Sequence, residues 1–335
     1  MPAVTHKPDV AQEEIRGWLR DNFSIDGILE PLPGECDLNF KLCTPDDGAF
    51  VCKISKVSDD ELELLAAQNE VMSLLNQRDL TAVPTVLTSN RGGSLVPFSA
   101  EGCVGRVLSF VPGKVLANCA PYGNRLIRNL GRTVGRLNQA LAGYDHPAFH
   151  HQFDWDLANA VGVVERYSHL IADPTVRDGV TQIHAEFEEI AVPRFDQLRK
   201  SVIHNDANDY NVLAEGDQIT GLIDFGDMVH TFTICDLAVA MAYATLGADD
   251  IPQLIREMAV GYNEFIPIED EEVAVLFPML RMRLAVSACM AAHQMRLRPD
   301  DPYLTISQEP IRNTLPKLLA LDASEGQTLL EDALA

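Results

Sequence analysis

Positive charge is scarce in this 335-residue chain: 26 lysines and arginines stand against 49 aspartates and glutamates, a formal net charge of −23. So acidic a surface excludes the electrostatic footprint that nucleic acid or an anionic membrane demands, and it is compatible with a small cationic substrate. Paired cysteines are missing as well. The seven present, Cys36, Cys43, Cys52, Cys103, Cys119, Cys235 and Cys289, are odd in number and scattered, with no Cys-x-x-Cys. The reading of reduced structural thiols therefore prevails over disulfides or a thiolate zinc site. The opening MPAVTHKPDV has no apolar core for a signal peptide and no run reaches membrane length, so a cytoplasmic protein is expected. Internal repeats and low-complexity linkers are absent too. What remains is a folded chain, 47% apolar, long enough for two domains or two lobes around a cleft.

The most informative stretch is 201–228, SVIHNDANDYNVLAEGDQITGLIDFGDM. Two apolar runs, 212–214 and 219–225, flank the turn-formers Glu215, Gly216, Asp217 and Gln218, the pattern of a tight β-hairpin. Before it sits His204-Asn205-Asp206, with Asn211 five residues past the aspartate; at its far end comes Asp224-Phe225-Gly226. Acidic and amide residues often do no more than decorate turns. This spacing, however, is how a kinase presents a catalytic carboxylate, an amide oxygen and a metal-binding carboxylate to one nucleoside triphosphate. A transferring phosphoryl group spreads charge over its oxygens, so Mg2+ must be held by hard oxygen donors, here Asn211 and Asp224. Asp206 is then left to take the attacking hydroxyl's proton.

The segment resembles the aminoglycoside phosphotransferase and choline kinase superfamily of small-molecule kinases. IDFGDM followed by CDLAVAMAY is most similar to its hydroxylysine kinase branch. Asn205 and Asn208 stand where protein kinases usually carry Arg and often Lys, which fits the small-molecule side. The likeness covers nearly the whole chain and is concentrated in 201–243. It implies an α+β, bilobal, protein-kinase-like fold: a small antiparallel β lobe with one helix over 1–112 for nucleotide, and a larger, mainly helical catalytic and substrate-binding lobe over 113–335. The site it implies is the cleft between them.

In the first lobe a short helix is expected at 12–21, apolar at Ile15, Trp18 and Leu19. Strands follow in 27–55, with the turn Thr44-Pro45-Asp46-Asp47-Gly48. The phosphate-covering loop falls on 33–40, around Gly34, and lacks the Gly-x-Gly-x-x-Gly of protein kinases. Lys53 is a charge within an apolar strand. Such residues are commonly surface lysines, but a kinase takes the cation for its α- and β-phosphates from this strand. The helix 59–76 repeats apolar residues at Leu64, Val71 and Leu75 and offers Glu70, 17 residues after Lys53, as the lysine's orienting partner; Glu61 and Glu63 compete. A hairpin turn at 90–94 is expected to join 83–89 to 94–97. The strand 106–111 ends the lobe. The family's use of this crossing makes Ser109, Phe110 and Val111 candidates for contacts to the nucleotide base, with a buried edge strand as the plainer reading.

The second lobe reads as mostly helical. Leu126, Ile127, Leu130, Val134, Leu137 and Leu141 form a core stripe over 124–142. His146, His150 and His151 suggest metal, but no carboxylate spacing supports it and a polar loop is expected. Trp155-Asp156-Leu157 opens a helix, residues 176–200 form a helical approach, and Val202-Ile203 is a short strand. His204 reads as a structural hydrogen-bonding residue. Asp227, His230 and Asp209 are candidates for the substrate side, with solvated loop acids as the alternative. Asp236 opens an apolar helix, and the resemblance makes it a brace for the catalytic loop. Residues 271–295 are helical, with Met279, Met282, Met290 and Met295 as core.

The function expected is transfer of a nucleotide γ-phosphate, from ATP or GTP with Mg2+, to the hydroxyl of a small amino alcohol, with 5-hydroxylysine first. Choline, ethanolamine, an aminoglycoside, homoserine and a methylthio-sugar are alternative acceptors. A nucleotide-binding regulatory module without turnover is the alternative of another class, opposed by the intact Asp206, Asn211 and Asp224. Relatives of this branch fused to pyridoxal-phosphate enzymes raise a third, in which the chain works beside such an enzyme as a separate partner.

Overall fold

The computed structural model describes residues 8–34, 37–46, 48–78, 80–99, 102–299 and 306–335. They fall into two compact units, Met1–Pro112 and Gly113–Ala335.

The first unit contains α1 (Gln12–Phe23), β1 (Ile28–Leu32), β2 (Leu38–Cys43), β3 (Ala49–Lys56), α2 (Asp59–Asn76), β4 (Val96–Pro97) and β5 (Cys103–Ser109). The strands form one antiparallel sheet in the order β1-β2-β3-β5-β4. The period of α1 puts Ile15, Trp18, Leu19 and Phe23 on one face, which packs on Leu29, Leu42, Ile54 and Val107. Trp18 lies flush on the sheet because Gly105 has no side chain: a Cβ there would stand 2.5 Å from the indole. Helix α2 begins at the predicted residue for a local reason. Ser58 and Glu61 form a reciprocal capping box, and Asp59 and Asp60 add negative charge at the N-terminus.

One sequence expectation changes here. Residues 83–89 and 94–97 do not form a hairpin with each other. Both line up end to end along the same edge of β5, through the Val86↔Leu108 bridge and the β4 ladder. The turn between them is real, with Gly92 and Gly93 at φ 81° and 82°, where a side chain would be strained. An open edge of a seven-residue strand offers more unpaired N–H and C=O groups than either short segment offers the other.

The second unit contains β6 (Lys114–Val115), α3 (Asn124–Leu141), α4 (Ala160–Tyr167), α5 (Pro174–Ile190), β7 (Lys200–Ile203), β8 (Val212–Glu215), β9 (Gln218–Leu222), β10 (Val229–Phe232), α6 (Ile234–Thr245), α7 (Ile251–Asn263), α8 (Asp270–Leu297), α9 (Gln308–Leu319) and α10 (Ala323–Leu334). Its strands make two small sheets, β7 with β10 and β6-β8-β9. Helix α6 is buried along its whole length. Helix α8, 28 residues long, runs against α4, α5 and α6. By length and composition α8 could cross a membrane, which corrects the reading that no run reaches that length; its apolar window is entirely buried. Met279, Met282 and Met290 are core, whereas Met295 is exposed.

Helices α3 and α7 approach closely because glycines line their crossing. A Cβ on Gly131 would sit 2.2 Å from the Met258 carbonyl oxygen, and one on Gly261 would sit 2.1 Å from that of Arg128. Both obstacles are backbone and cannot rotate away. Gly131→Ala is therefore expected to lower stability by about 1–3 kcal/mol, seen as a reduced denaturation midpoint with an unchanged slope. A wild-type midpoint would contradict this packing.

Candidate active site

The site in the second unit is assembled by pairing at both ends of a loop. Strand β7 delivers His204, and β10 lies antiparallel beside it with Ile203 opposite Val229. The β8–β9 hairpin closes on a two-residue turn, Gly216-Asp217, between the paired Glu215 and Gln218; Gly216 has φ 58°. Its other end is prolonged by the Ile223 amide donating to the Asn211 carbonyl at 2.9 Å. That bond places Asn211 and the residue before Asp224 side by side. Asp206, Asn211 and Asp224 thus meet at one end of the hairpin.

Within the loop Asp206, Asn208 and Asn211 hold one another. The Asn208 side-chain oxygen accepts from the amides of Tyr210 and Asn211 at 2.8 and 3.0 Å, and its Nδ2 donates to Asp206 Oδ1 at 2.9 Å. Asn211 Nδ2 donates to Asp206 Oδ2 at 2.7 Å and to the Asp206 carbonyl at 2.9 Å. Arg283, from α8, adds Nη2 at 3.3 Å from Asp206 Oδ1. Burial pushes the Asp206 carboxyl up to about 7, against the pull of Arg283 and with a push from the Asp224 charge. Asp224 itself is exposed and left-handed, at φ 62° and ψ 78°. A non-glycine residue is held there only when its surroundings enforce it, a kind of strain that clusters at functional sites.

Behind the loop lies a buried brace. Asp236 accepts from the Asn205 amide at 2.8 Å, the His204 amide at 3.3 Å and Asn138 Nδ2 at 2.6 Å. The Tyr262 hydroxyl donates to Asn138 Oδ1 at 3.0 Å. The close α3–α7 crossing carries both Asn138 and Tyr262, so the helix packing is transmitted to the loop. His204 is fully buried, packs edge-on against Phe225 and accepts the Asp206 amide on Nδ1 at 3.2 Å. Burial lowers its pKa and favours the neutral ring. These contacts make His204 a support.

Asn211 and Asp224 fit a hard cation. The Asn211 amide nitrogen is turned toward Asp206, which points its side-chain oxygen elsewhere, and Asp224 offers an exposed carboxylate.

The remaining candidates divide. In the first unit Lys53 is buried on β3, across from Asn39 and Arg106, with Nζ 3.9 Å from Asp37 Oδ2. Glu70 is on the exposed face of α2, as are Glu61 and Glu63. The helix turns its amides inward, and Asn69 Oδ1 accepts from Arg106 at 3.0 Å. The helical period explains this correction: burying Ala67, Val71 and Leu75 together faces Glu70 outward. A carboxylate near the lysine comes from the loop residue Asp37. Gly34 is packed so that a Cβ would meet Asn39 Nδ2 at 2.2 Å; Glu35 and Cys36 of the same loop lie outside the described residues. The Ser109 amide is used by Thr85, the Thr85 amide donates to Ser109 Oγ, and the Phe110 amide donates to Ala49. Val111 is buried just beyond them.

On the substrate side, Asp227 follows Asp224 in a short 3-10 turn, while Asp209 is a correction: it is buried, and burial pushes its carboxyl up to about 7. His230 stacks on His150 at 4.2 Å, and His150 Nε2 is 2.7 Å from Asp145 Oδ1. Sequence reasoning found no carboxylate for the histidines, yet the fold supplies Asp145. One ligand atom from each of Asp145, His150 and His230 lies within 4.8 Å of the others. Arg283 was missed altogether. Its only signal was a pair of charges, Arg281 and Arg283, inside the apolar run of α8.

A model of the phosphotransferase enzyme family matches residues 28–274 of the chain. The hydroxylysine kinase of Mus musculus is 28% identical over 331 residues, covering 91% of this chain and 86% of its own. A homoserine kinase of Methylobacillus flagellatus is 25% identical over 284 residues, covering 82% of each chain. Among solved structures, an amicoumacin kinase in complex with AMP-PNP and Ca2+ matches with a TM-score of 0.69 at 16% identity, over 95% of this chain and 97% of that one. The fold is the kinase-like α+β fold.

Proposed function

We propose, since the chain belongs to the phosphotransferase enzyme family, that the hairpin end carrying Asp206, Asn211 and Asp224 is where it phosphorylates the hydroxyl of an amino acid resembling 5-hydroxylysine. The protein is a small-molecule kinase acting on an alcohol, with a nucleotide as phosphate donor. The observation that carries the reading of the site is Asp206 itself. It is a half-buried carboxylate whose Oδ1 is occupied by Asn208 and Arg283 and whose Oδ2 is shared with Asn211, the amide next to exposed Asp224. Asn211 and Asp224 are the residues to hold Mg2+, which when bound neutralises charge on the phosphates. Lys53 serves the α- and β-phosphates. With the amides of Ser109 and Phe110 engaged inside the sheet, base contacts pass to Val111 and to carbonyl oxygens of this crossing. Positioning and fixed electrostatics supply most of the catalysis.

The amino-acid acceptor is supported by the hydroxylysine and homoserine kinases among the relatives, and the chain's negative charge suits a cationic side chain. The deciding experiment is nucleoside-diphosphate release with Mg2+, using ATP and GTP in turn against 5-hydroxylysine, homoserine, ethanolamine, choline and an aminoglycoside. Release that depends on 5-hydroxylysine is the expected result. Preference for homoserine or for an amine without a carboxylate would replace the acceptor. No acceptor-dependent release with any of them, despite nucleotide binding, would favour the regulatory reading.

A further inference from the structure

We infer that Arg283 is a positioning residue that, together with Asn208, pins Oδ1 of Asp206 so that Oδ2 is the oxygen that takes the acceptor's proton. This rests on Asp206 being the base.

A carboxylate has two oxygens with two lone pairs each. Oδ1 receives Asn208 Nδ2 at 2.9 Å and Arg283 Nη2 at 3.3 Å, which uses both of its lone pairs. Oδ2 receives Asn211 Nδ2 at 2.7 Å, which leaves one lone pair. The Asp206 side chain keeps 18% of its surface exposed, against 1% for Arg283, so the carboxylate is reachable and the guanidinium is not. Arg283 is therefore no contact for the acceptor. It is held without Asp206: Nη1 donates to the Trp155 carbonyl at 2.7 Å, and the guanidinium carbon lies 4.8 Å from the Trp155 ring centre and 5.6 Å from that of Tyr243. Its backbone belongs to the buried α8. A cation fixed from three sides makes a rigid post for a loop aspartate.

The step so arranged balances. The acceptor's O–H bond breaks as its proton passes to Asp206 Oδ2, its oxygen bonds to the γ-phosphorus, and the bond from that phosphorus to the bridging oxygen breaks. The electron pair leaves on the nucleoside diphosphate. Rotation of the carboxylate about its Cβ–Cγ bond would exchange the two oxygens and misdirect the lone pair, and Arg283 is the contact that opposes it from outside the loop.

A buried ion pair serving stability alone would behave differently. Removing one partner of such a pair lowers stability, but it has no reason to lower turnover selectively in the folded protein. The test uses Arg283→Met and Arg283→Lys in the full-length protein, with kcat and nucleotide KM measured beside Asp206→Ala. A small misplacement of a catalytic group costs on the order of 100-fold in rate. Arg283→Met is thus expected to lower kcat about 100-fold, and Arg283→Lys, which keeps the charge without the planar fork, about tenfold. In both, the nucleotide KM stays at the wild-type value. Wild-type kcat in either variant overturns the inference, as does a loss of kcat matched by a rise in nucleotide KM. If the methionine variant does not fold, the lysine variant decides by the same criteria. If Asp206→Ala keeps full turnover, the reading of Asp206 as the base fails first, and a kcat loss in the arginine variants cannot rescue it.

Discussion

Asp206→Ala is expected to abolish turnover while nucleotide binding survives. General acid–base groups contribute about 10²–10⁴-fold, and this carboxylate also organises its surroundings, accepting from Asn208, Asn211 and Arg283. Removing it loses the proton acceptor and one of the two bonds that orient Asn211. It also leaves the Arg283 guanidinium, 1% exposed, without its carboxylate. The loss in kcat should therefore sit at or beyond the upper end of that range. Asp206→Asn, which keeps the shape and one acceptor oxygen, should lose nearly as much turnover with less damage to stability. Steady-state rates, paired with a nucleotide-binding measurement on the same samples, decide the matter. An alanine variant with wild-type kcat would remove Asp206 from the base position.

Asp236→Ala is expected to damage stability and activity together. The carboxylate is fully buried and collects three donors: the amides of Asn205 and His204, and Asn138 Nδ2. Burial raises its pKa, and those hydrogen bonds together with His204 pull the other way, so the group is held by its donors. Alanine leaves the donors buried and unpaired, at a cost of roughly 3–5 kcal/mol for breaking such a network from one side. Asn205, at φ 65°, also loses the bond that holds it left-handed. The loop carrying Asp206 then loses its fixed geometry. Chemical denaturation should show the lower midpoint, and kcat should fall in the fraction that remains folded. Asp236→Asn, which retains one acceptor oxygen, should lie between. Unchanged stability in the alanine variant would show that Asp236 does not brace the loop.

The two predictions differ in how their residues were found. Asp206, Asn211 and Asp224 were legible because a hairpin is local. Residue types, a two-residue turn and the five-residue interval between Asp206 and Asn211 force their ends together whatever the rest of the chain does. The start of helix α2 is a local feature for the same reason, since Ser58 and Glu61 sit three residues apart and cap it by themselves. Wherever a decision depended on which face meets which neighbour, local pattern ran out. Glu70 has a reasonable spacing from Lys53, but the period of Ala67, Val71 and Leu75 turned it outward.

By itself, then, the sequence determined the reactive hairpin and most helices, and its motifs resemble a known family. The hairpin and helices follow from short-range periodicity and backbone geometry, in which each residue meets partners within a few positions. Beyond the brace Asp236 and the structural His204, only the tertiary structure decided what supports the reactive group. Arg283 reaches Asp206 across 77 positions, and Asn138 reaches Asp236 across 98. It also buried Asp209 and brought Asp145 to the stacked histidines. Such contacts depend on how helices pack, here on a glycine-lined crossing of α3 with α7 and on α8 running through the core. The burial that sets a charged group's pKa is likewise a property of the whole fold.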